Sequence, residues 1–474
     1  MAAISPYSVD SKKQAAIDRI LSKVLGEVKP TEDELKAVRV YSNMLMGRLK
    51  SVAPPEVEIV NVGSAARGTQ IRGRSDIDIF LLFPRGMGKG QIERMGLEIG
   101  RKIVDKRMNE SYIVKYAEHP YTKVYLNEYN ISADIVPAYK IGRADERGTA
   151  VDRTQLHNDF ILSNMPTHQR DQVRLLKAFL KFHGIYGAEA RIEGFSGYLC
   201  ELLVLYYGSF IEALEGFANI SLPLYVEMDE RGRRMTQSKE IISKVVKDFG
   251  TSLVVIDPTD RNRNVAAVVS EEKLARLVLA SRKFLSSPNP GSFYGPKHSE
   301  SNARSALAKI RGRIGSDIFV MEFKLPDIAE DITWQQLKKL RSRIAEEVDA
   351  EGFNLFMTLQ DIEGSSGIIA FLANRFDRRV STASEGPGPL MKGDPEKFYN
   401  AHRGSVTFLS RGRISAITRA RYQTVGDLLK AAMSGGLIVF PSHVGRKGAK
   451  LYKNAFPEHI AKMVYRAYSE KTSV

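Results

Sequence analysis

The chain has 474 residues, 43% of them hydrophobic and 26% charged, enough for about three packed domains at roughly 150 residues each. The net charge of +15 points to a polyanionic partner, and no apolar run approaches the roughly 18 residues that a membrane span needs. A single cysteine, Cys200, excludes an internal disulfide, and the N-terminus lacks a secretory pattern, so the expected setting is cytoplasmic, with no membrane attachment.

Thr31 and Glu34 have the spacing of a capping box and open a predicted helix running to about residue 49, with Leu35, Val38, Tyr41, Leu45 and Leu49 on one stripe. Residues 57–62 and 76–83 read as strands. A helix is predicted over residues 91–109, followed by strands at 112–117, 121–126 and 130–136. The first 150 residues thus describe a sheet flanked by helices. From residue 169 to about 213 the apolar spacing turns helical, with Val173, Leu176, Phe179 and Leu180 in one set and Leu199, Leu202, Leu203 and Tyr206 in another. A strand is expected at 253–257, a helix at 271–285, and a linker at 286–292, where Pro and Gly cluster. Strand, helix, strand, strand then follow at 317–325, 334–350, 354–359 and 367–373, and a break at 384–390. The expected fold class is α+β and multidomain.

Charge is unevenly spread. Residues 401–474 hold thirteen Lys or Arg against Asp427, Glu458 and Glu470, which places +10 of the +15 excess in that stretch. Phe408, Tyr422, Phe440, Tyr452, Phe456 and Tyr465 lie among these charges. Most suit a core, and a few could stack on nucleotides.

The informative stretch is Gly63-Ser64-Ala-Ala-Arg67, then Asp76-Ile-Asp78 in an apolar strand. Residues two apart on a strand share a face, so Asp76 and Asp78 project together while Ile77 and Ile79 face away. Two adjacent carboxylates repel unless a cation sits between them. Mg²⁺ suits that role because it takes carboxylate oxygens together with substrate phosphates. Asp134, in a later apolar strand, is the expected third acid of a two-metal site. Gly63 and Ser64 enter a short helix whose N–H groups can receive phosphate, and Arg67 lies about one turn on. Asp-x-Asp alone is a weak signal. Joined to Gly-Ser and a later strand aspartate, it is a strong one.

These residues resemble the nucleotidyltransferase superfamily that includes DNA polymerase beta and the poly(A) polymerases. More closely, they resemble the archaeal-type (class I) CCA-adding enzymes. Residues 63–83 are similar to that family's catalytic signature and 132–140 to its third-acid strand. Residues 149–157 and 255–267 also resemble family segments, and the likeness runs more loosely through 398–421. The resemblance implies a polymerase beta-like head (1–155), a mostly helical central nucleotide-binding domain (156–290) and an α+β RNA-binding body (291–474), with a tail at about 385–435. It implies template-independent addition of CCA to tRNA from CTP and ATP, with Mg²⁺, or Mn²⁺ in its place, on Asp76, Asp78 and Asp134. Gly63, Ser64 and Arg67 would hold the triphosphate together with Lys177 and Tyr186. Thr154 and His157 would lie near the nucleotide, with His157 at the sugar, and Arg263 would read the base. Lys181 and Arg261 stand as neighbouring alternatives to Lys177 and Arg263. Ala65-Ala66 departs from the bulkier residues of many relatives, a matter of packing more than chemistry. The implied RNA contacts are the tRNA acceptor and TΨC arms, and a homodimer is compatible with the family. Two other readings stay open: a poly(A) polymerase-like or oligoadenylate-synthesising enzyme, and a non-catalytic RNA-binding protein on a decayed catalytic fold.

Overall fold

The computed structural model describes residues 11–73, 75–116, 119–294, 302–390 and 394–472. The chain forms two compact units, Met1–Gly295 and Pro296–Ser473.

The first unit begins with α1 (Ser11–Val28) and α2 (Glu32–Val52). The capping box forms as its spacing predicts: Glu34 N–H donates to Thr31 Oγ1 (3.1 Å) and Thr31 N–H to Glu34 Oε2 (2.6 Å). Next come β1 (Glu58–Val62), α3 (Gly63–Arg67), β2 (Ser75–Phe83), α4 (Lys89–Lys102), β3 (Glu110–Tyr116), β4 (Pro120–Leu126) and β5 (Ile131–Tyr139). The five strands form one sheet in the order β1-β2-β5-β4-β3, with β2 and β5 parallel and the other pairs antiparallel. Ile77, Ile79, Leu81 and Phe83 of β2 pack with Val38, Tyr41, Leu45 and Leu49 of α2 and Ile92 and Ile99 of α4. Period-2 alternation therefore turns Asp76 and Asp78 to the opposite face, where Phe80 and Leu82 meet Val62, Val136 and Ala138.

The helix predicted over 91–109 is shorter than expected. It stops at Lys102, and the Asp105 side chain then accepts from Arg107 N–H (2.9 Å), starting a separate turn that ends at Asn109 with φ +53°. Local side-chain bonding to the backbone competes here with helix continuation.

The rest of the unit is mainly helical: α5 (Thr154–Asn164), α6 (Thr167–Phe182), α7 (Gly197–Tyr207), α8 (Phe210–Ala218), β6 (Leu224–Val226), α9 (Lys239–Phe249), β7 (Leu253–Asp257), β8 (Asp260–Asn264) and α10 (Glu271–Ser286). The helical stretch expected from 169 onward is broken at Gly184, Gly187 and Gly208, all with positive φ. Phe179, Phe210, Phe284 and Phe293 form the aromatic centre of its core, with ring centroids 5.5–6.1 Å apart. Among the described residues no single helix is long and apolar enough to cross a membrane. Helices α7 and α8 pass that test only as a pair, and they are bent by 90° with their apolar residues in this core.

The second unit contains α11 (Ala303–Ile314), β9 (Ser316–Lys324), α12 (Glu330–Ala350), β10 (Leu355–Glu363), β11 (Ser366–Asn374), β12 (Ser381–Glu385), α13 (Pro395–Ala401), β13 (Val406–Ser410), β14 (Arg413–Arg419), α14 (Val425–Ser434), β15 (Lys450–Lys453) and α15 (Glu458–Thr472). The expected strand-helix-strand-strand order is β9, α12, β10 and β11. The sheet gains β15 as a fourth strand, in the order β10-β11-β9-β15. Ile460, Met463 and Val464 of α15 pack on Ile318, Val320 and Ala370, so the last segment of the basic region is part of this core. A separate sheet, β12-β14-β13, spans Ser381 to Arg419.

Candidate active site

The three acids meet on one face of the first sheet. Asp78 and Asp134 are direct partners across the parallel β2–β5 pair, and Asp76 is paired with Ser132 two positions along. Lys123 of β4 is in turn the antiparallel partner of Asp134. Its ammonium donates to Asp134 Oδ1 (2.9 Å) and Asp76 Oδ1 (3.1 Å), and the Ser132 hydroxyl donates to the same Asp76 oxygen. Burial, followed by the negative charge of Asp134 and Asp76, pushes the Asp78 carboxyl up to about 7, with Arg67 and Lys123 opposing. Burial also raises Asp134, against the pull of Lys123.

This cluster is short of positive charge and built from hard carboxylate oxygens, the chemistry that suits a divalent cation. Among the described residues no three His, Cys, Asp or Glu side chains close on one point as a finished metal cage. Lys123 occupies the place where the oxygens of Asp76 and Asp134 converge.

Helix α3 begins directly after β1, so Gly63 sits beside Asp78, with Ser64 next in the chain; Val62 is the cross-strand partner of that aspartate. Gly63 has φ +79°, and a Cβ there would lie 1.9 Å from Asp78 Oδ2. Only glycine permits both the turn and the approach of the carboxylate.

Arg67, at the end of α3, is buried and ion-paired to Glu201 of α7 (Nε to Oε2, 3.0 Å). Thr69 Oγ1 donates to the same carboxylate (2.5 Å). Lys177 of α6 donates to the Thr69 carbonyl (3.1 Å) and hydroxyl (3.2 Å), with its ammonium 3.8 Å from Glu201. Tyr186 belongs to the same cluster: a Cβ on Gly197 would lie 3.3 Å from its hydroxyl and 3.7 Å from Lys177 Nζ. Burial lowers the Lys177 pKa, with Glu201 opposing. Burial works against ionisation of Glu201, but Arg67 and Lys177 outweigh it and keep that carboxyl low. Lys181 is exposed in the last turn of α6, away from this cluster's buried centre.

A second buried carboxylate organises a further cluster. Asp257, fully buried at the end of β7, accepts from His157 Nε2 (2.9 Å), Arg263 NH1 (2.8 Å), Tyr198 (3.2 Å) and the Thr259 hydroxyl (2.8 Å). His157 stacks on Tyr198 with centroids 4.0 Å apart, and burial depresses its pKa despite Asp257. Thr154 opens α5 one turn before His157. Arg261 pairs instead with Glu227 (3.2 Å). Arg147 and Arg153 both reach Asp260, at 3.3 and 3.2 Å.

The sequence-predicted residues therefore gather into three groups within one unit: the acids with Gly63 and Ser64, the Arg67–Lys177–Tyr186 cluster, and the His157–Arg263 pair. Sequence reading missed Lys123, Glu201, Asp257 and Tyr198. Glu201 left one signal, a carboxylate inside the apolar run 199–211, and Asp257 another, an acid closing an apolar strand before Pro258.

A mixed sheet carrying register-paired aspartates beside a Gly-Ser helix start defines a nucleotidyltransferase, and a nucleotidyltransferase domain profile matches residues 44–157. The tRNA nucleotidyltransferase second-domain profile matches residues 171–294, and the CCA-adding enzyme C-terminal domain profile matches 314–452. The CCA-adding enzyme of Archaeoglobus fulgidus is 33% identical over 461 residues, covering 94% of this chain and 99% of that one. That of Methanocaldococcus jannaschii is 31% identical over 450 residues (94% and 97%), and that of Methanothermobacter thermautotrophicus 37% over 340 (70% of each). The chain belongs to the CCA-adding enzyme family of tRNA nucleotidyltransferases. Enzymes of the nucleotidyltransferase family generally work with divalent metal ions.

Proposed function

We propose that the chain completes and repairs the 3′-terminal CCA of tRNA, using CTP and ATP without a nucleic-acid template, with Asp76, Asp78 and Asp134 holding two Mg²⁺ ions. The observation that carries this reading is the pairing of Asp78 with Asp134 across β2–β5, with Asp76 on the same face. The ions, once bound, supply Lewis-acid stabilisation of the attacking and leaving oxygens. Asp134 assists departure of the proton from the tRNA 3′-hydroxyl as it attacks the α-phosphate. Ser64, Arg67, Lys177 and Tyr186 orient the triphosphate and stabilise charge on the leaving pyrophosphate. His157 donates from Nε2 to Asp257, so its neutral ring offers Nδ1 as an acceptor for a ribose hydroxyl. Arg263 keeps further N–H donors for the edge of cytosine or adenine. The second unit grips the acceptor and TΨC arms through phosphates and A-form shape.

The decisive experiment incubates a tRNA lacking its CCA with Mg²⁺, CTP and ATP, then sequences the new 3′ end. Three added nucleotides, C, C and A, are expected. A continuing A-tract would favour the poly(A)-synthesising alternative, which the match of 314–452 to a CCA-adding C-terminal domain speaks against. Asp76→Ala should abolish incorporation while leaving tRNA affinity within about twofold, since it removes an electrostatic contribution to catalysis worth orders of magnitude.

A further inference from the structure

Lys123 has no role in the chemistry described so far, yet it sits at the centre of the acid cluster. Its side chain is 11% exposed, and it contacts carboxylates from two different strands at 3.1 and 2.9 Å. One ammonium thus bridges Oδ1 of Asp76 and Oδ1 of Asp134. A divalent ion that drew on these two oxygens would compete with the ammonium for both. The backbone fixes the geometry: Lys123 is the register partner of Asp134, in a pair that also aligns Thr122 with Ile135 and Val124 with Ala133.

We propose that Lys123 is a built-in counter-cation of the metal site, which holds Asp76 and Asp134 together before metal arrives and yields its place when the ion binds. This rests on the reading of the three aspartates as metal ligands. The ammonium relieves the repulsion of Asp76 and Asp134, keeping the site assembled. It also competes with the ion and so weakens metal binding. Four carbons of flexible stem let the ammonium withdraw without moving β4.

The test is titration of the full chain with Mn²⁺ alone, followed by electron paramagnetic resonance of the free ion, together with thermal melts in EDTA. Wild type is compared with Lys123→Met, Lys123→Gln, Lys123→Arg and Asp76→Ala. Removing the like charge and the competitor should tighten Mn²⁺ binding about tenfold in the Met and Gln variants. The same variants should melt lower than wild type in EDTA and regain more on adding Mn²⁺ than wild type does. Lys123→Arg, which keeps the charge, should stay near wild type in EDTA. If Met or Gln binds Mn²⁺ no more tightly than wild type, or melts no lower in EDTA, the assignment is overturned. Should one of the two fail to fold, the other carries the comparison. If Asp76→Ala binds Mn²⁺ as wild type does, the metal-site reading itself falls. If Asp76→Ala loses binding while the Met and Gln variants remain as wild type, only the role of Lys123 falls.

Discussion

Gly63 follows β1 and opens α3 at φ +79°, with the Asp78 carboxylate pressed against the space a methyl group would take. Gly63→Ala must therefore either distort the turn or push Asp78 out of line with Asp134. Backbone strain of this kind costs about 1–3 kcal/mol, and a displacement near 1 Å at a reacting centre can cost about 10²-fold. The expected outcome is a lowered melting temperature and a fall of about 10²-fold in kcat, with the tRNA Kd unchanged; full activity would remove Asp78 from the site. Arg263 calls for a different measurement. It is the arginine joined to Asp257 beside His157, whereas Arg261 pairs with Glu227. Arg263→Ala should relax discrimination of CTP and ATP against UTP and GTP by about tenfold in relative kcat/KM, the scale of one lost base-edge contact. Unchanged selectivity there, or an equal change in Arg261→Ala, would assign base reading elsewhere.

Elements were legible where a local rule sufficed. The Thr31–Glu34 box predicted the start of α2, and the two-residue spacing of Asp76 and Asp78 predicted their common face. The predicted 91–109 helix overran because Asp105 diverts the backbone, a local competition that apolar spacing does not register. The β13–β14 hairpin was missed for a related reason. It turns on Arg411 and Gly412, with φ +50° and +74°, where Asn-Gly or Asp-Gly would have announced the turn. That hairpin and its flank expose Arg411, Arg413, Arg419 and Arg421, with Val406 and Leu409 also exposed. Because these arginines are solvent-facing, converting all four to Gln should leave the fold intact. The tRNA KM should rise at least about tenfold at 0.1 M salt, and the slope of log affinity against log salt should fall by about 3. The CTP KM should stay within about twofold. Parallel rises in both constants would argue against an RNA-gripping surface there.

At the scale of the whole molecule, the site's missing residues share one property: each acts on a partner distant in sequence. Glu201 binds Arg67 across 134 positions, and Asp257 binds His157 across 100. Lys123 reaches Asp76 only because β5 is inserted between β2 and β4. Motif spacing puts Asp76 and Asp78 on one face, since that follows from a strand's own period. It does not reveal which buried carboxylate will hold which cation, because that is decided by packing between helices and by sheet order.

The parallel pairing of β2 with β5 has a consequence for the birth of the enzyme on the ribosome. Asp78 gains its partner only after the chain has extended past Asp134, and Arg263 lies more than a hundred residues further on. Non-local pairing of this sort forms late, since a long loop must close before any contact rewards it. A growing chain that has emerged only as far as β4 therefore holds Asp76 and Asp78 without Asp134, Lys177 or Arg263. Such an intermediate lacks the Asp78–Asp134 pair, which forms only once β5 has been made.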